Sequence, residues 1–260
     1  GAFWALMKFA MPREIRTIFK REFQGYFNSP IAYVLFVVFL GLSNGMSFFF
    51  FGVLESQEAS LTYTYFQYMP LYLALIVPAV GMRIWSEEQR QGTMELMLTM
   101  PLAPWHAIVG KYLAAAAVIF LMLVLSFPIV WTINYLGNPD NGVIFTGFVA
   151  TFFVALCYLA VTSVMSALSR SQLVAFLISF AICIVIYLAG FPQVSNILIN
   201  LKGGALIFWP LLKLLNSIGV MPHFTELAKG VLAFRDVIFF ATFVVFCLFA
   251  TSVAIRMRRA

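Results

Sequence analysis

The sequence predicts an all-α polytopic membrane protein: six transmembrane helices, an N-terminal interfacial amphipathic helix, and a re-entrant helical hairpin between spans five and six. Three observations carry this prediction. The chain is 63% hydrophobic and only 10% charged, against about 25% charged in a soluble domain. Its apolar runs recur at about the 20 residues needed to cross a ~30 Å hydrocarbon core. Its basic residues gather at the ends of those runs. Helices are the expected form because unpaired backbone groups in lipid are too costly. The organisation is a leader with the interfacial helix over 1–29 and one six-span domain over 30–260, with a cytoplasmic loop at 83–106 and an outer hairpin at 192–236.

The chain opens on Gly1, with Met7 and Met11 as alternative native starts, and Lys8 interrupts an apolar stretch too short for a convincing signal peptide. Residues 12–29 follow a helical period. Ile15, Ile18, Phe19, Phe23, Tyr26 and Phe27 form one stripe, and Arg13, Arg16, Lys20 and Arg21 lie largely off it. Pro12 suits a first helical turn, and Asn28-Ser29-Pro30 ends the helix. Such a helix lies in the membrane interface with its basic side toward anionic headgroups, Phe19 and Phe23 facing the lipid and Arg16 and Lys20 the heads.

The spans are read at 31–53, 63–82, 107–135, 143–168, 173–191 and 237–255. Pro70 and Pro78 bend the second, and Pro128 kinks the third. Asp140 and Asn141 read as a turn. Between spans five and six, the apolar run 206–215 is broken by Pro210 and Lys213 and is too short to cross. With a second short helix at 223–234 it forms the hairpin in the outer leaflet. Glu226, Lys229, Arg235 and Asp236 are the hairpin's charged set. They either pair or stay solvated at the interface, or contact substrate or a gate, as charges near membrane depth do.

With the N-terminus inside, twelve Lys and Arg fall on the inner side and four on the outer. The positive-inside bias then makes both termini cytoplasmic, and residues 86–101 with them.

Those residues read SEEQRQGTMELMLTMP. Glu87, Glu88 and Glu95 sit beside exposed Met94, Met97 and Leu98, and apolar surface in a polar loop marks a docking site. Gly92 breaks the preceding turn, Thr93 caps a helix starting at Met94, Glu95 suits its first turn, and Pro101 ends it. A two-turn helix of this kind fits a groove on another protein, or packs on the membrane or its own spans. The residues alone leave both readings open.

Other chemistry is sparse. No GxxxxGK[ST] is present, and the span interiors read as essentially free of ionisable groups, so neither ATP binding nor ion coupling is indicated in this chain. Gly41-Leu42-Ser43-Asn44-Gly45 spells GxSxG, but mid-span rather than in a strand–turn–helix elbow. Gly41 and Gly45 read better as a small-residue helix-packing face. Cys157, Cys183 and Cys247 fall in apolar runs without metal-ligand spacing and read as inert thiols. The net charge of +6 lacks the basic, aromatic-interleaved groove of a nucleic-acid binder.

The pattern E-x-x-x-x-G-T-x-E-x-x-x-x-x-P, carried by Glu87, Gly92, Thr93, Glu95 and Pro101 and followed by Gly110-Lys111, resembles the ABC-2 type transporter permeases. The NSP-terminated amphipathic helix is similar to that family's elbow helix. SRSQLVAFLIS and KGVLAFRDVIFF resemble its gliding-motility-type subgroup. The resemblance implies a permease subunit whose 86–101 segment is a coupling helix docked on a cytoplasmic ATPase. ATP and magnesium would be held by that ATPase and no cofactor by this chain. It also implies a second permease, identical or related, with the subgroup pointing to a partner bearing a large periplasmic domain. Export or extrusion across a bacterial inner membrane follows from the same likeness. The alternatives are a non-transporting scaffold that passes ATPase-driven force to periplasmic machinery, and an intramembrane hydrolase using Ser43.

Overall fold

Prolines and short polar caps set where the helices of this chain begin, bend and stop. A computed structural model describes residues 12–49, 65–93, 104–137, 139–190, 219–231 and 233–257. Helix α1, Arg13–Phe27, follows Pro12, and α2, Pro30–Leu40, carries Pro30 in its first turn. Proline disfavours helical backbone in the residue before it, so Ser29 is extended (φ −101°, ψ 130°) and the chain turns by 75° between α1 and the run that follows. The run continues through a π-helical turn, Gly41–Gly45, into α3, Met46–Phe49.

The next run is α4, Met69–Gly81, then α5, Arg83–Gln91. Helix α6, Pro104–Leu125, and α7, Pro128–Leu136, form one long run broken at Ser126–Phe127, just before Pro128, the position expected for a proline kink. Helix α8, Asn141–Leu168, is capped by Asp140, whose Oδ1 accepts from Gly142 N (2.8 Å) and Val143 N (3.4 Å). Asp140 is thus a helix cap as well as a turn residue. Helices α9, Gln172–Ala189, α10, Val220–Ala228, and α11, Phe234–Met257, complete the described elements.

Among the described residues, five helical runs are long and apolar enough to cross a membrane: Met69–Gln91, Pro104–Tyr135, Asn141–Leu168, Gln172–Ala189 and Phe234–Met257. The bent pair Arg13–Phe27 with Pro30–Gly45 makes a sixth if counted as one broken span. Among the described residues there is no strand. The chain is therefore a multi-pass membrane protein whose described elements are all helices.

Helix α8 forms the centre, touching α4, α5, α6, α9, α10 and α11. Close approach depends on glycine: a Cβ at Gly147 would lie 2.5 Å from the Phe66 ring, and one at Gly81 would lie 2.8 Å from Thr162 Cγ2. Helices α9 and α11 are peripheral, with only 22% and 33% of their span windows buried, so most of their apolar surface faces lipid or another chain.

Several expected boundaries shift. The second span extends helically through Arg83–Gln91, so residues 86–91 are helix and not loop. The expected 223–234 helix lies at Val220–Ala228, because Phe234 already begins α11. The 1–11 leader, the 206–215 run, Met94, Glu95, Met97, Leu98 and Pro101 lie outside the described residues.

Candidate functional site

The densest polar cluster joins α1, α5, α6 and the end of α8. Its origin is a break in the second span. Pro78 and the turn at Met82 interrupt the helical hydrogen-bond ladder, and Ser166 of α8 fills the gap. Its Oγ accepts from Trp85 N (3.0 Å) and Ser86 N (3.1 Å) and donates to Met82 O (2.8 Å). A side chain inserted into a helix ladder is a recognised cause of a bend. Trp85 Nε1 donates to Ser163 Oγ (3.2 Å), and Gln89 Nε2 donates to Ala167 O (2.6 Å), tying α5 to α8 along two turns.

Against this frame Lys111 of α6 is 3% exposed. An ammonium has three donors, and three acceptors surround it: Glu88 Oε1 at 2.9 Å, Glu22 Oε1 at 3.2 Å and Ile84 O at 3.1 Å. The ammonium also lies 5.4 Å from the Trp85 ring centroid, a cation–π contact. Two carboxylates would leave one cation outnumbered, but Arg21 Nη2 reaches Glu22 Oε1 at 2.8 Å and Glu88 Oε1 at 3.9 Å. Two cations and two anions make the cluster neutral, which is what burial requires. Burial alone would raise the Glu22 pKa. Lys111 and Arg21 outweigh it and hold the carboxyl below its usual value.

The neighbouring contacts fix α1 to the same place. Tyr26 OH donates to Val80 O (3.1 Å), and Arg83 lies 5.3 Å from the Tyr26 ring centroid while pairing with Glu87 at 3.4 Å. Gly110 permits the close approach, since a Cβ there would stand 2.9 Å from Ile18 Cγ2. Phe19 is buried against Ala114, and Phe23 stacks on Phe19 with centroids 5.7 Å apart. The apolar stripe of α1 therefore faces α6 rather than lipid alone, a correction to the interfacial reading. Arg16 is half-buried and Lys20 exposed on its other side. A cleft of about 520 Å³ opens beside the cluster between α1 and α5, and Glu88 Oε2 is buried without a hydrogen-bond partner among the described residues.

Of the residues picked out in 86–101, Glu87 and Glu88 thus belong to this cluster. Gly92 ends α5 in the left-handed region at φ 70°, where glycine is favoured. Thr93 Oγ1 turns back toward Glu88 O at 3.5 Å, and the helix it was expected to cap lies outside the described residues. Sequence reasoning missed Lys111 as the keystone. Its signal was a Gly-Lys pair set inside an otherwise apolar run.

Gly41 and Gly45 make no close packing contact inside the chain: among the described residues nothing lies within 4 Å of a Cβ at either position. They flank the π-helical turn instead. Ser43 is buried and donates to Phe39 O (2.8 Å). Close by, Tyr65 bonds Ser126, which donates to Asn44 Oδ1 (3.1 Å). No His or carboxylate is recorded bonding to Ser43 among the described residues, so the hydrolase reading lacks a base.

At the other end of the bundle Glu226, Lys229 and Arg235 are exposed and form no ion pair among the described residues. Asp236 differs. It is 1% exposed and bonds His223 Nδ1 at 2.6 Å. With Lys111, Asp236 corrects the expectation of spans free of ionisable groups.

A central helix, flanking spans and a neutral ion cluster tying an amphipathic N-terminal helix to them define a polytopic membrane subunit. The family model described as ABC-2 family transporter protein matches residues 17–255, and the chain belongs to that family. Its members are membrane subunits that work with a separate ABC ATPase and normally lack an ATP-binding site of their own. No curated protein matches the chain.

Proposed function

We propose that this chain is the permease subunit of an ATP-driven ABC-2 type exporter of a bacterial inner membrane, with both termini cytoplasmic. A separate ATPase, carrying ATP and magnesium, docks on the segment 86–101. Met94, Met97 and Leu98 fill its groove, and Glu95 pairs at the rim. A second permease, identical or related, completes the pathway. The observation that supports this reading best is the Lys111 cluster. It joins the helix that leads into 94–103 to α1 and to the start of a span, so a push on that segment moves three elements together. Closure of an ATPase pair would thereby tilt the spans.

The test is purification of the full chain from its native membrane in mild detergent. A stoichiometric cytoplasmic ATPase in the eluate supports the proposal. A chain that elutes without any ATPase, even after crosslinking in intact membranes, argues against it.

A further inference from the structure

The His223–Asp236 pair is buried near the Asn141 end of α8, with Asp236 1% and His223 14% exposed. Phe240 stacks on Phe153 at 5.6 Å, and Cys157 Sγ lies 3.9 Å from Phe240 O, which sets α11 against α8 in register. Phe153 is twelve residues into α8, about 18 Å from its Asn141 end, and Asp236 precedes Phe240 by about 6 Å of helix rise. Asp236 therefore lies about 12 Å along α8 from its Asn141 end. Helix α10 packs chiefly on α8 and also touches α9. Gly190 abuts Met221 and Pro222, and Gly230 abuts Val143, so α10 climbs outward from the depth where α9 ends.

The pair fastens α10 to α11. His223 Nδ1 meets Asp236 Oδ1 at 2.6 Å, and the imidazole stacks on Phe239 with centroids 4.1 Å apart. Among the described residues, Asp236 Oδ2 is buried with no hydrogen-bond partner. A pair in this setting is neutral only when it holds one proton, as acid with imidazole or carboxylate with imidazolium. Losing that proton leaves a bare carboxylate, and gaining another leaves an uncompensated imidazolium. Either net charge is costly in a buried site.

We propose that His223 and Asp236 form a one-proton binding site that latches α10 to the last span, and that a second proton, entering from the side of the Asp140 turn, releases it. The other ionisable side chains on the elements around the pair are Cys157 and Tyr158 on α8, Cys183 and Tyr187 on α9, Glu226 on α10 with Lys229 just after it, and Arg235, Cys247 and Arg256 on α11. Imidazole is the side chain that ordinarily changes charge between about pH 5 and 8. Glu226, Lys229 and Arg235 are exposed and remain solvated at the outer surface.

The chain has only two histidines, so ¹⁵N-histidine NMR of the full chain in nanodiscs, assigned with His106→Gln, reads His223 directly. Backbone hydrogen exchange over 220–228, corrected for intrinsic pH dependence, reads the latch. The expected wild-type result is a hydrogen-bonded His223 Nδ1 near neutral pH and a second protonation step on acidification. At that same step protection of 220–228 falls at least tenfold. In Asp236→Asn the step in protection disappears. Wild-type protection that stays flat while His223 gains its proton overturns the latch, and that comparison needs no variant. A His223 titration unchanged by Asp236→Asn overturns the shared site.

Discussion

Lys111 Nζ lies 2.9 Å from Glu88 Oε1, linking the first turns of α6 to the last turn of α5 at the point where the chain leaves for residues 94–103. The same ammonium holds Glu22 of α1. A single cation is therefore shared by the amphipathic helix, the end of one span and the start of the next.

Removing one member of a buried, paired charge set costs about 3–5 kcal/mol, because the others are left uncompensated. Lys111→Met leaves Glu22 and Glu88 facing each other and is expected to destabilise the fold by about 3 kcal/mol, toward the low end because both carboxylates are partly exposed. Combining it with Glu22→Gln and Glu88→Gln removes the repulsion and recovers most of the loss. Thermal unfolding of wild type, Lys111→Met and the triple variant in nanodiscs measures this. A single variant as stable as wild type would show that the cluster does not hold the helices together.

The pH dependence follows from Glu22. Its folded-state carboxyl is held low, by Lys111 and Arg21 against the opposing effect of burial. A group depressed on folding adds stability above its unfolded value, about 4.3 for glutamate, and loses it as pH falls through the folded value. The stability difference between wild type and Glu22→Gln is therefore constant at neutral pH and shrinks as the solution becomes more acidic than ~4.3. Unfolding midpoints of both proteins over a pH series give the curve.

Two glycine sets separate packing inside the chain from packing outside it. A Cβ at Gly110 meets Ile18 at 2.9 Å, so Gly110→Val forces α1 away from α6, at about 1–3 kcal/mol for overpacking. Gly41→Leu with Gly45→Leu meets nothing among the described residues and leaves the unfolding midpoint of the monomer near wild type. If that face meets a second permease, the double variant instead lowers the dimer fraction in native mass spectrometry.

The cytoplasmic placement of 86–101 is tested with Gly137→Cys and Gln91→Cys. The three native cysteines are buried and should stay unlabelled. Gly137→Cys labels with an impermeant reagent in intact cells, and Gln91→Cys only after permeabilisation. The reverse pattern would invert the topology.

The fold was legible where single residues decide local structure. Pro30, Pro128 and Gly92 each end or bend a helix as their chemistry dictates, and apolar runs of span length gave the third to sixth spans to within a few residues, while the end expected for the first lies outside the described residues. The second span differs. Its polar end, Arg83–Gln91, looked like loop because the side chains that satisfy it, Ser163, Ser166 and Lys111, come from distant parts of the chain. The clamp was half legible for the same reason: Glu87, Glu88 and Gly92 carry a local pattern, whereas Lys111 and Glu22 acquire their role only when three helices meet. His223 and Asp236, thirteen residues apart, were invisible as a pair because a turn and two helices lie between them.

The central claim is that energy enters through 86–101 from a docked ATPase. Burying a Leu side chain contributes roughly 1.5–3 kcal/mol, so Leu98→Asp should weaken docking at least about tenfold while leaving membrane insertion unchanged. The decisive measurement is the amount of ATPase that copurifies with wild type and with Leu98→Asp, together with ATP hydrolysis of each complex in nanodiscs. The account predicts loss of both retained ATPase and stimulated hydrolysis in the variant. A variant that holds its ATPase and stimulates hydrolysis as wild type does would contradict it.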